Sequence, residues 1–268
     1  MNIKQTLNKY KIAPDLGKDQ FFLTDTKIIK KAIEFADLNK NDTVLEIGAG
    51  PGNLTKKLAE KAGRVIAFEI DTRFKPLLKS LPKNTEVRYE NAWKYIQLRG
   101  KWKKKKEYNK VVSNIPYSLT EPFLHNLTFL NYDKVILLVP IKFLKKIDKH
   151  SIFGSFFQTK ILLKVPKESF YPTPRTNSVL IELIKLPDPL KTKNSGLFLR
   201  QYIYQHENQL AKNSLMEGII KYSDIVHSKK VTKNEARNII SKQNIPKELL
   251  EKTPSNPSIY SLAENIII

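Results

Sequence analysis

The tetrapeptide Asn114-Ile115-Pro116-Tyr117 combines two hydrogen-bond acceptors with an aromatic ring. An exocyclic base amine, such as N6 of adenine, is a poor nucleophile because its lone pair is delocalised into the ring. The Asn114 side-chain oxygen and the Ile115 carbonyl can accept the amine hydrogens and so localise that lone pair. Pro116 fixes the chain and brings no competing N–H, and Tyr117 offers a face for a flipped base. Alone, the pattern also fits an ordinary turn, so its place in the fold decides between the two interpretations.

A glycine-rich turn, Gly48-Ala49-Gly50-Pro51-Gly52, follows the apolar segment 43–47. Glycines in this place let the backbone approach a ligand and turn sharply into a helix. The spacing Gly-x-Gly-x-Gly differs from the dinucleotide fingerprint and disfavours NAD. Glu69 closes the next apolar segment, where a carboxylate can accept hydrogen bonds from both hydroxyls of a ribose. The two features together indicate a ligand that carries a ribose, although a tight turn and a solvated charge remain open for each alone.

Predicted strands and helices alternate through the first half of the chain. The strands are 43–47, 64–70, 86–89, 110–113 and 134–139, and the helices are 53–62, 72–81 and 119–130, with a further helix after Asp25. Such alternation indicates βαβ units and a mostly parallel sheet, whose ligand lies beyond the carboxyl ends of the strands. The glycine turn, Glu69, Asn91 and Asn114 all follow strand ends. We therefore expect one site at this edge of an α/β fold.

The rest of the chain divides into a strand pair and a helical region. Segments 160–165 and 179–186 indicate an antiparallel pair joined by a proline-rich loop, in which Phe170 would hold the second face of the base or simply be a half-buried loop residue. Residues 1–23 are expected to be a polar lead-in, and residues 187–195 a linker. Helices are predicted at 197–220, 233–242 and 258–265. We therefore expect a catalytic domain over 1–188 and a helical domain over 189–268.

The charge balance indicates a polyanionic partner. Lys and Arg number 47 against 26 Asp and Glu, which gives the 268 residues a net charge of +21. Cations placed on phosphates release condensed counterions, so a nucleic acid is favoured. A membrane is disfavoured, because the sequence has no long apolar stretch. The run Lys103–Lys106, flanked by Trp102 and Tyr108, fits a phosphate contact and a solvated loop equally well.

Cysteine and histidine usage narrows the chemistry further. The chain has no cysteine, which suits a reducing compartment and excludes thiolate metal sites. The N-terminal residues lack the apolar core of a secretory signal, so we expect a cytoplasmic protein. Its four histidines are scattered without metal-ligand spacing, and no metal is expected; they are His125, His150, His206 and His227. Nothing in the sequence requires more than a monomer.

Taken together, the motifs resemble the ribosomal RNA adenine N6-dimethyltransferase family. This family includes small-subunit dimethyladenosine transferases and the erythromycin-resistance methylases of the large subunit. The resemblance runs from about Asp19 to the C-terminus, through Gln20–Leu23, Leu45–Thr55, Phe68–Asp71, Asn114–Tyr117, Phe170–Ser178 and Asn213–Leu215. It implies a Rossmann-like methyltransferase domain with a mostly parallel seven-stranded sheet, followed by a small all-helical domain that docks on RNA.

The resemblance also implies the cofactor and its contacts. The cofactor would be S-adenosylmethionine, bound at Phe21, Leu23, Gly48, Gly50, Glu69, Asn91 and Asn114. The catalytic set would be Asn114, Ile115, Pro116, Tyr117 and Phe170. The partner would be ribosomal RNA or a ribosomal subunit, and the product N6,N6-dimethyladenosine.

Departures from the family pattern leave the substrate open. Asn91 stands where the family usually has Asp, although its oxygen can still accept from the cofactor adenine. Residues 205–209 stand where the small-subunit enzymes usually carry a basic cluster. Asn213–Leu215 nevertheless favours the small-subunit branch, and residues 165–170 fit the large-subunit branch equally well. A nucleic-acid-binding transcription factor on a methyltransferase fold is a third alternative. A DNA adenine methylase is disfavoured by Asn114 and Ile115. We expect methylation of small-subunit RNA.

Overall fold

The computed structural model describes residues 2–92, 107–130, 132–147, 152–254 and 258–268. Two compact units make up the chain, one of residues 1–144 and 159–184 and the other of residues 145–158 and 185–268. The run Lys103–Lys106, together with Trp102 and His150, lies outside the described residues. The division of roles at residue 188 stays a prediction.

The strands in the described part of the chain form two sheets. They are β1 (Phe22–Leu23), β2 (Thr43–Ile47), β3 (Arg64–Phe68), β4 (Thr85–Arg88), β5 (Lys110–Ser113), β6 (Lys134–Pro140), β7 (Phe157–Val165), β8 (Phe170–Tyr171) and β9 (Ser178–Lys185). Strands β1 and β8 pair antiparallel, and the other strands form a seven-stranded sheet in the order β4-β3-β2-β5-β6-β9-β7.

The seven-stranded sheet is mostly parallel, which confirms the predicted fold class. Strand β2 pairs in parallel with both β3 and β5, β4 and β6 continue the parallel order outward, and β9 pairs antiparallel with β6. Residues 135–139 of β6 are buried, as expected for an apolar strand covered on both faces. Because the chain winds outward from β2 in both directions, a crevice opens at the carboxyl ends of β2 and β5.

Helices in the first unit connect these strands. They are α1 (Ile3–Lys9), α2 (Thr26–Ala36), α3 (Asn53–Lys61), α4 (Lys75–Leu78) and α5 (Tyr117–Leu127). The predicted N-cap of α2 is confirmed, because the Asp25 side chain accepts from the backbone N–H groups of Lys27 and Ile28. The face of α2 that carries Ile29 and Ile33 is buried, as its apolar spacing predicts.

Helix α1 corrects the expectation of an irregular lead-in. Asn2 and Gln5 form a capping box, in which each side chain accepts from the other residue's backbone N–H. Ile3 and Leu7 then lie one turn apart and are both buried. Seven residues were too few for this periodicity to stand out among the polar positions of the sequence.

The described part of the second unit is mainly helical, as predicted. Its helices are α6 (Ser195–Gln205), α7 (Ala211–His227), α8 (Lys233–Ser241), α9 (Lys247–Leu250) and α10 (Ser258–Ala263). The single helix expected over 197–220 is two helices. The first, α6, is capped by His206, whose ring stacks on Tyr202 and whose Nδ1 lies 2.8 Å from the Tyr202 carbonyl oxygen. Within the described ranges, no helix combines the length and apolarity needed to cross a bilayer.

Candidate active site

A cavity of about 260 Å³ lies at the carboxyl edge of the parallel strands. Residues that follow four neighbouring strands line it: Gly48 and Gly50 after β2, Glu69 after β3, Asn91 after β4 and Asn114 after β5. Phe21 and Pro116 complete the predicted residues that line this cavity. The structure therefore brings most of the candidate set together at the crevice expected of such a sheet.

The glycine turn is packed against the Asn114–Tyr117 segment. Gly48 and Gly50 have φ values of +81° and +54°, which side chains rarely adopt. A Cβ on Gly48 would lie 3.0 Å from Pro116 Cδ, and one on Gly50 would lie 3.0 Å from Phe22 Cδ1. Glycine is therefore required at both positions by the backbone and by the close approach of the neighbouring chain.

Glu69 is held by backbone donors on both sides. Its Oε2 accepts from the Gly50 N–H at 2.6 Å, and its Oε1 accepts from the Asp71 N–H at 2.7 Å. Burial raises the pKa of Glu69, and these two hydrogen bonds oppose that rise. Each carboxylate oxygen keeps a further lone pair, so the group can also accept from ribose hydroxyls. The glycine turn and the acidic strand end thus form one preorganised unit.

Glu46 lies deeper, beneath this unit. Its side chain is fully buried, and burial raises the pKa of Glu46 to about 8, with the negative charge of Glu69 adding to the rise and the Thr55 hydroxyl opposing it. At neutral pH the Glu46 carboxyl is therefore largely protonated. Of Glu46 and Glu69, it is Glu69 that lines the cavity.

The Asn114 side chain has a defined orientation. Its Nδ2 donates to the Phe21 carbonyl at 2.9 Å, so Oδ1 is left as the acceptor of that carboxamide. Beside it, the Ser113 Oγ donates to the Ile47 carbonyl at 2.7 Å and ties β5 to β2. The acceptor oxygen required for chemistry on a nucleobase amine is thus supplied by Asn114, whose side-chain nitrogen is already hydrogen-bonded.

Two residues just before Phe21 support the site and were absent from the predicted set. The Asp19 Oδ2 accepts from the Ser118 N–H at 3.0 Å, which is one of the unpaired donors in the first turn of α5. The buried Gln20 side chain donates to Asp71 Oδ2 at 2.8 Å. Their partners lie 99 and 51 positions away, so no local pattern predicts these two contacts. The sequence indicated only Gln20, as part of the motif Gln20–Leu23.

Tyr117 and Ile115 border the site without lining the cavity. The Tyr117 ring stacks on Phe21 with centroids 6.0 Å apart and an interplanar angle of 23°. Burial raises the pKa of the Tyr117 hydroxyl, so it keeps its proton at neutral pH. Ile115 is buried. Pro116 and Ser118, the neighbours of Tyr117 in the chain, line the cavity, whereas Tyr117 does not. The base-stacking role of Tyr117 stays a prediction.

Leu23 and Phe170 lie elsewhere. They are paired across the β1–β8 sheet, both are buried, and neither lines the cavity that holds Asn114. Phe170 instead borders a larger groove beside α2 and α3. Tyr108, which flanks the basic run, is buried. In the described part of the chain, no group of three acidic, histidine or cysteine side chains is placed to hold a metal ion.

Comparison with known proteins identifies the family of this chain. Residues 15–248 match the family model of the ribosomal RNA adenine dimethylases. A probable ribosomal RNA small subunit methyltransferase A from Methanosphaera stadtmanae is 33% identical over 256 residues, which cover 89% of both chains. The crystal structure of a dimethyladenosine transferase from Plasmodium falciparum has a TM-score of 0.59 at 21% identity, over 90% of this chain and 95% of that one. The 23S rRNA methyltransferase ErmE has a TM-score of 0.55 at 19% identity, over 91% and 98% of the two chains.

The fold and the site together define a methyltransferase with a Rossmann-like catalytic sheet. The match over residues 15–248 shows that the chain belongs to the ribosomal RNA adenine dimethylase family, which confirms the resemblance inferred from its motifs. One of the two solved structures is named for 23S rRNA and the other for dimethyladenosine, and this chain resembles both in fold. Fold alone therefore does not select the substrate.

Proposed function

We propose that this chain transfers methyl groups from S-adenosylmethionine to N6 of adenosine in small-subunit ribosomal RNA and forms N6,N6-dimethyladenosine. The observation that carries the proposal is the orientation of Asn114, whose Nδ2 is engaged by the Phe21 carbonyl while Oδ1 remains an acceptor beside Glu69 and the glycine turn. An acceptor at this place suits an amine that must be made nucleophilic.

The residues of the cavity fit the cofactor. Gly48 and Gly50 bring the backbone of the turn to the cavity wall, and Glu69 presents a buried carboxylate that keeps free lone pairs for a ribose. Asn91 lies on the same wall and would accept from the cofactor adenine amine. When bound, S-adenosylmethionine supplies a methyl group on a positively charged sulfur.

The catalytic residues act on the base. Asn114 Oδ1 and the Ile115 carbonyl accept the N6 hydrogens, which localises the nitrogen lone pair toward the methyl donor. Pro116 contributes no donor that would compete for these acceptors. The amine loses its proton after it has bonded to the methyl group, so no side chain needs to act as a strong base. Tyr117 is not such a base, because burial raises the pKa of its hydroxyl.

The choice of the small subunit rests on the named relatives. The Methanosphaera stadtmanae protein carries that substrate in its name and spans nearly the same length. The net charge of +21 agrees with an RNA partner. We assign catalysis to residues 1–188 and RNA docking to residues 189–268, and we place the active monomer in the cytoplasm.

The test is transfer of labelled methyl groups to purified small and large ribosomal subunits that lack these modifications. We expect label in the small subunit. Label confined to the large subunit would move the chain to the resistance branch. Cofactor binding by calorimetry without label in either subunit would favour a non-catalytic RNA-binding role.

A further inference from the structure

The first unit contains a second, larger cavity of about 990 Å³. It lies beside helices α1, α2 and α3 and the β1–β8 pair. The lining includes six lysines, Lys4, Lys27, Lys30, Lys56, Lys57 and Lys61. Glu60 is the one acidic residue of the lining. We call this cavity the lysine groove.

Five of the six lysines lie on two helices that border the groove, and Lys4 lies on α1. Lys27 and Lys30 are three residues apart on α2, whereas Lys56 and Lys61 border the groove from α3. All six side chains are exposed. Lys57 pairs with Glu60 at 2.8 Å. In the part of the chain that the structure describes, Lys27, Lys30, Lys56 and Lys61 form no ion pair, so four ammonium groups are available to an anionic partner.

The floor of the groove is apolar. Ile3, Ile29, Ile33 and Phe170 are core residues whose outer edges border it. The half-buried Tyr171 ring also lines the groove, with Lys4 Nζ 6.0 Å from the ring centroid. A cationic rim above an apolar and aromatic floor matches a nucleotide strand, whose phosphates contact lysines while its sugars and bases lie on apolar surface. An acidic peptide would use the rim and leave the floor uncovered.

The groove begins next to the candidate active site. Phe22 lines the cofactor cavity, whereas Thr24, two residues further along the same segment, lines the lysine groove. Between them, the Leu23 carbonyl accepts from Asn53 Nδ2 at 3.2 Å, which ties this segment to the start of α3. Phe170, predicted to contact the target base, lies in the groove and not in the cofactor cavity. A chain of nucleotides in the groove would therefore pass beside the methylation site.

We propose that the lysine groove binds a single-stranded RNA segment that flanks the target adenosine. The identification of that RNA as part of the substrate rests on the proposed function. The binding itself depends on the groove and can be measured without methyl transfer.

The test uses the full chain and a fluorescein-labelled single-stranded oligoadenylate, with anisotropy measured over a range of KCl concentrations. The groove variant carries Lys27→Gln, Lys30→Gln, Lys56→Gln and Lys61→Gln. The control carries Lys79→Gln, Lys83→Gln, Lys160→Gln and Lys164→Gln, which removes the same charge from exposed positions of the same unit outside the groove. Calorimetric S-adenosylmethionine affinity, expected to be unchanged, verifies that both variants are folded.

We expect the groove variant to lose about tenfold or more in RNA affinity, and its salt slope to fall by about 0.7 for each lost phosphate contact. The control should stay within about twofold of the wild type, since its lysines would make no phosphate contact. Equal losses in the two variants, an unchanged groove variant, or equally strong competition by polyglutamate would overturn the proposal.

Photo-crosslinking of the wild-type chain to oligoadenylate containing 4-thiouridine gives a second readout that does not depend on a variant. Crosslinks are expected in residues 24–33 and 53–61, and crosslinks found exclusively elsewhere would contradict the groove. If the wild type binds RNA in the groove but methylates neither ribosomal subunit, the proposed function fails while the groove stands.

Discussion

Asn114 and Phe21 are 93 positions apart in the chain, and the Asn114 Nδ2 donates to the Phe21 carbonyl at 2.9 Å. This hydrogen bond determines which end of the carboxamide remains an acceptor. It also connects the segment before β1 to the segment after β5, so the lead-in becomes part of the candidate active site.

Asp19 is expected to position the start of α5. Its Oδ2 accepts from the Ser118 N–H, and its backbone φ of 54° is one that glycine and asparagine tolerate. Asp19→Gly removes the acceptor without adding backbone strain, and we expect turnover to fall about tenfold, the value of one cap-like hydrogen bond. Asp19→Asn keeps an acceptor oxygen and should stay close to wild type. Single-turnover rates and cofactor affinity measure this, and equal rates in Asp19→Gly and wild type would refute the positioning role.

Tyr117 is expected to act through its ring. Tyr117→Phe preserves the stacked contact with Phe21 and should retain activity within about twofold, whereas Tyr117→Ala should lose about tenfold to a hundredfold, the range of one base-stacking contact. Methyl transfer to RNA at saturating cofactor measures the difference. Similar losses in the two variants would show that the hydroxyl, and not the ring, is what matters.

Glu69 is expected to determine cofactor affinity. In Glu69→Gln one terminal atom becomes an NH₂ donor that faces a backbone N–H of Gly50 or Asp71, so both the turn and the ribose contact suffer. We expect S-adenosylmethionine to bind about tenfold or more weakly, as for a lost hydrogen bond to a charged group. The matched control is the exposed Glu34→Gln on α2, which should bind normally. Calorimetry decides, and unchanged affinity in Glu69→Gln would remove this residue from the site.

Glu46 is expected to make stability depend on pH. The folded chain keeps the Glu46 proton up to about pH 8, whereas the unfolded chain loses it near the ordinary value of 4.5. Between these values the folded state binds more protons, so the free energy of unfolding decreases as pH rises. Glu46→Gln mimics the protonated form and should match wild type near pH 4 but exceed it by on the order of 2–4 kcal/mol near pH 8. Chemical denaturation at both pH values provides the measurement, and parallel pH profiles would contradict it.

The sequence predicted those parts of the fold that depend on local pattern. Apolar runs ending in Glu69 and Asn114, and the glycine turn after Ile47, identified strands whose carboxyl ends meet at one edge, and the structure places these residues around one cavity. The positive φ of Gly48 agrees with the reason for expecting glycine there.

The remaining features depend on contacts between distant segments. Asp19 gives no local sign that it will meet Ser118, 99 positions later. The pairing of Leu23 with Phe170 draws that ring into the core and the lysine groove, which the proline-rich loop did not indicate. These two features are tertiary choices among locally acceptable conformations. The break after His206 is local, since its ring stacks on Tyr202 within the same helix turn, but neither glycine nor proline marks it in the sequence.

The most direct test of the central claim is nucleoside mass spectrometry of small-subunit RNA after incubation of unmodified subunits with S-adenosylmethionine and either wild-type protein or Asn114→Ala. We expect N6,N6-dimethyladenosine with the wild type, and with the variant a rate lower by about 10²–10³, comparable to loss of one preorganised polar group in an active site. The exposed Asn41→Ala, which lies outside both cavities, serves as the control and should behave as wild type. Dimethyladenosine formed at an undiminished rate by Asn114→Ala, or its absence with the wild type, would contradict the account.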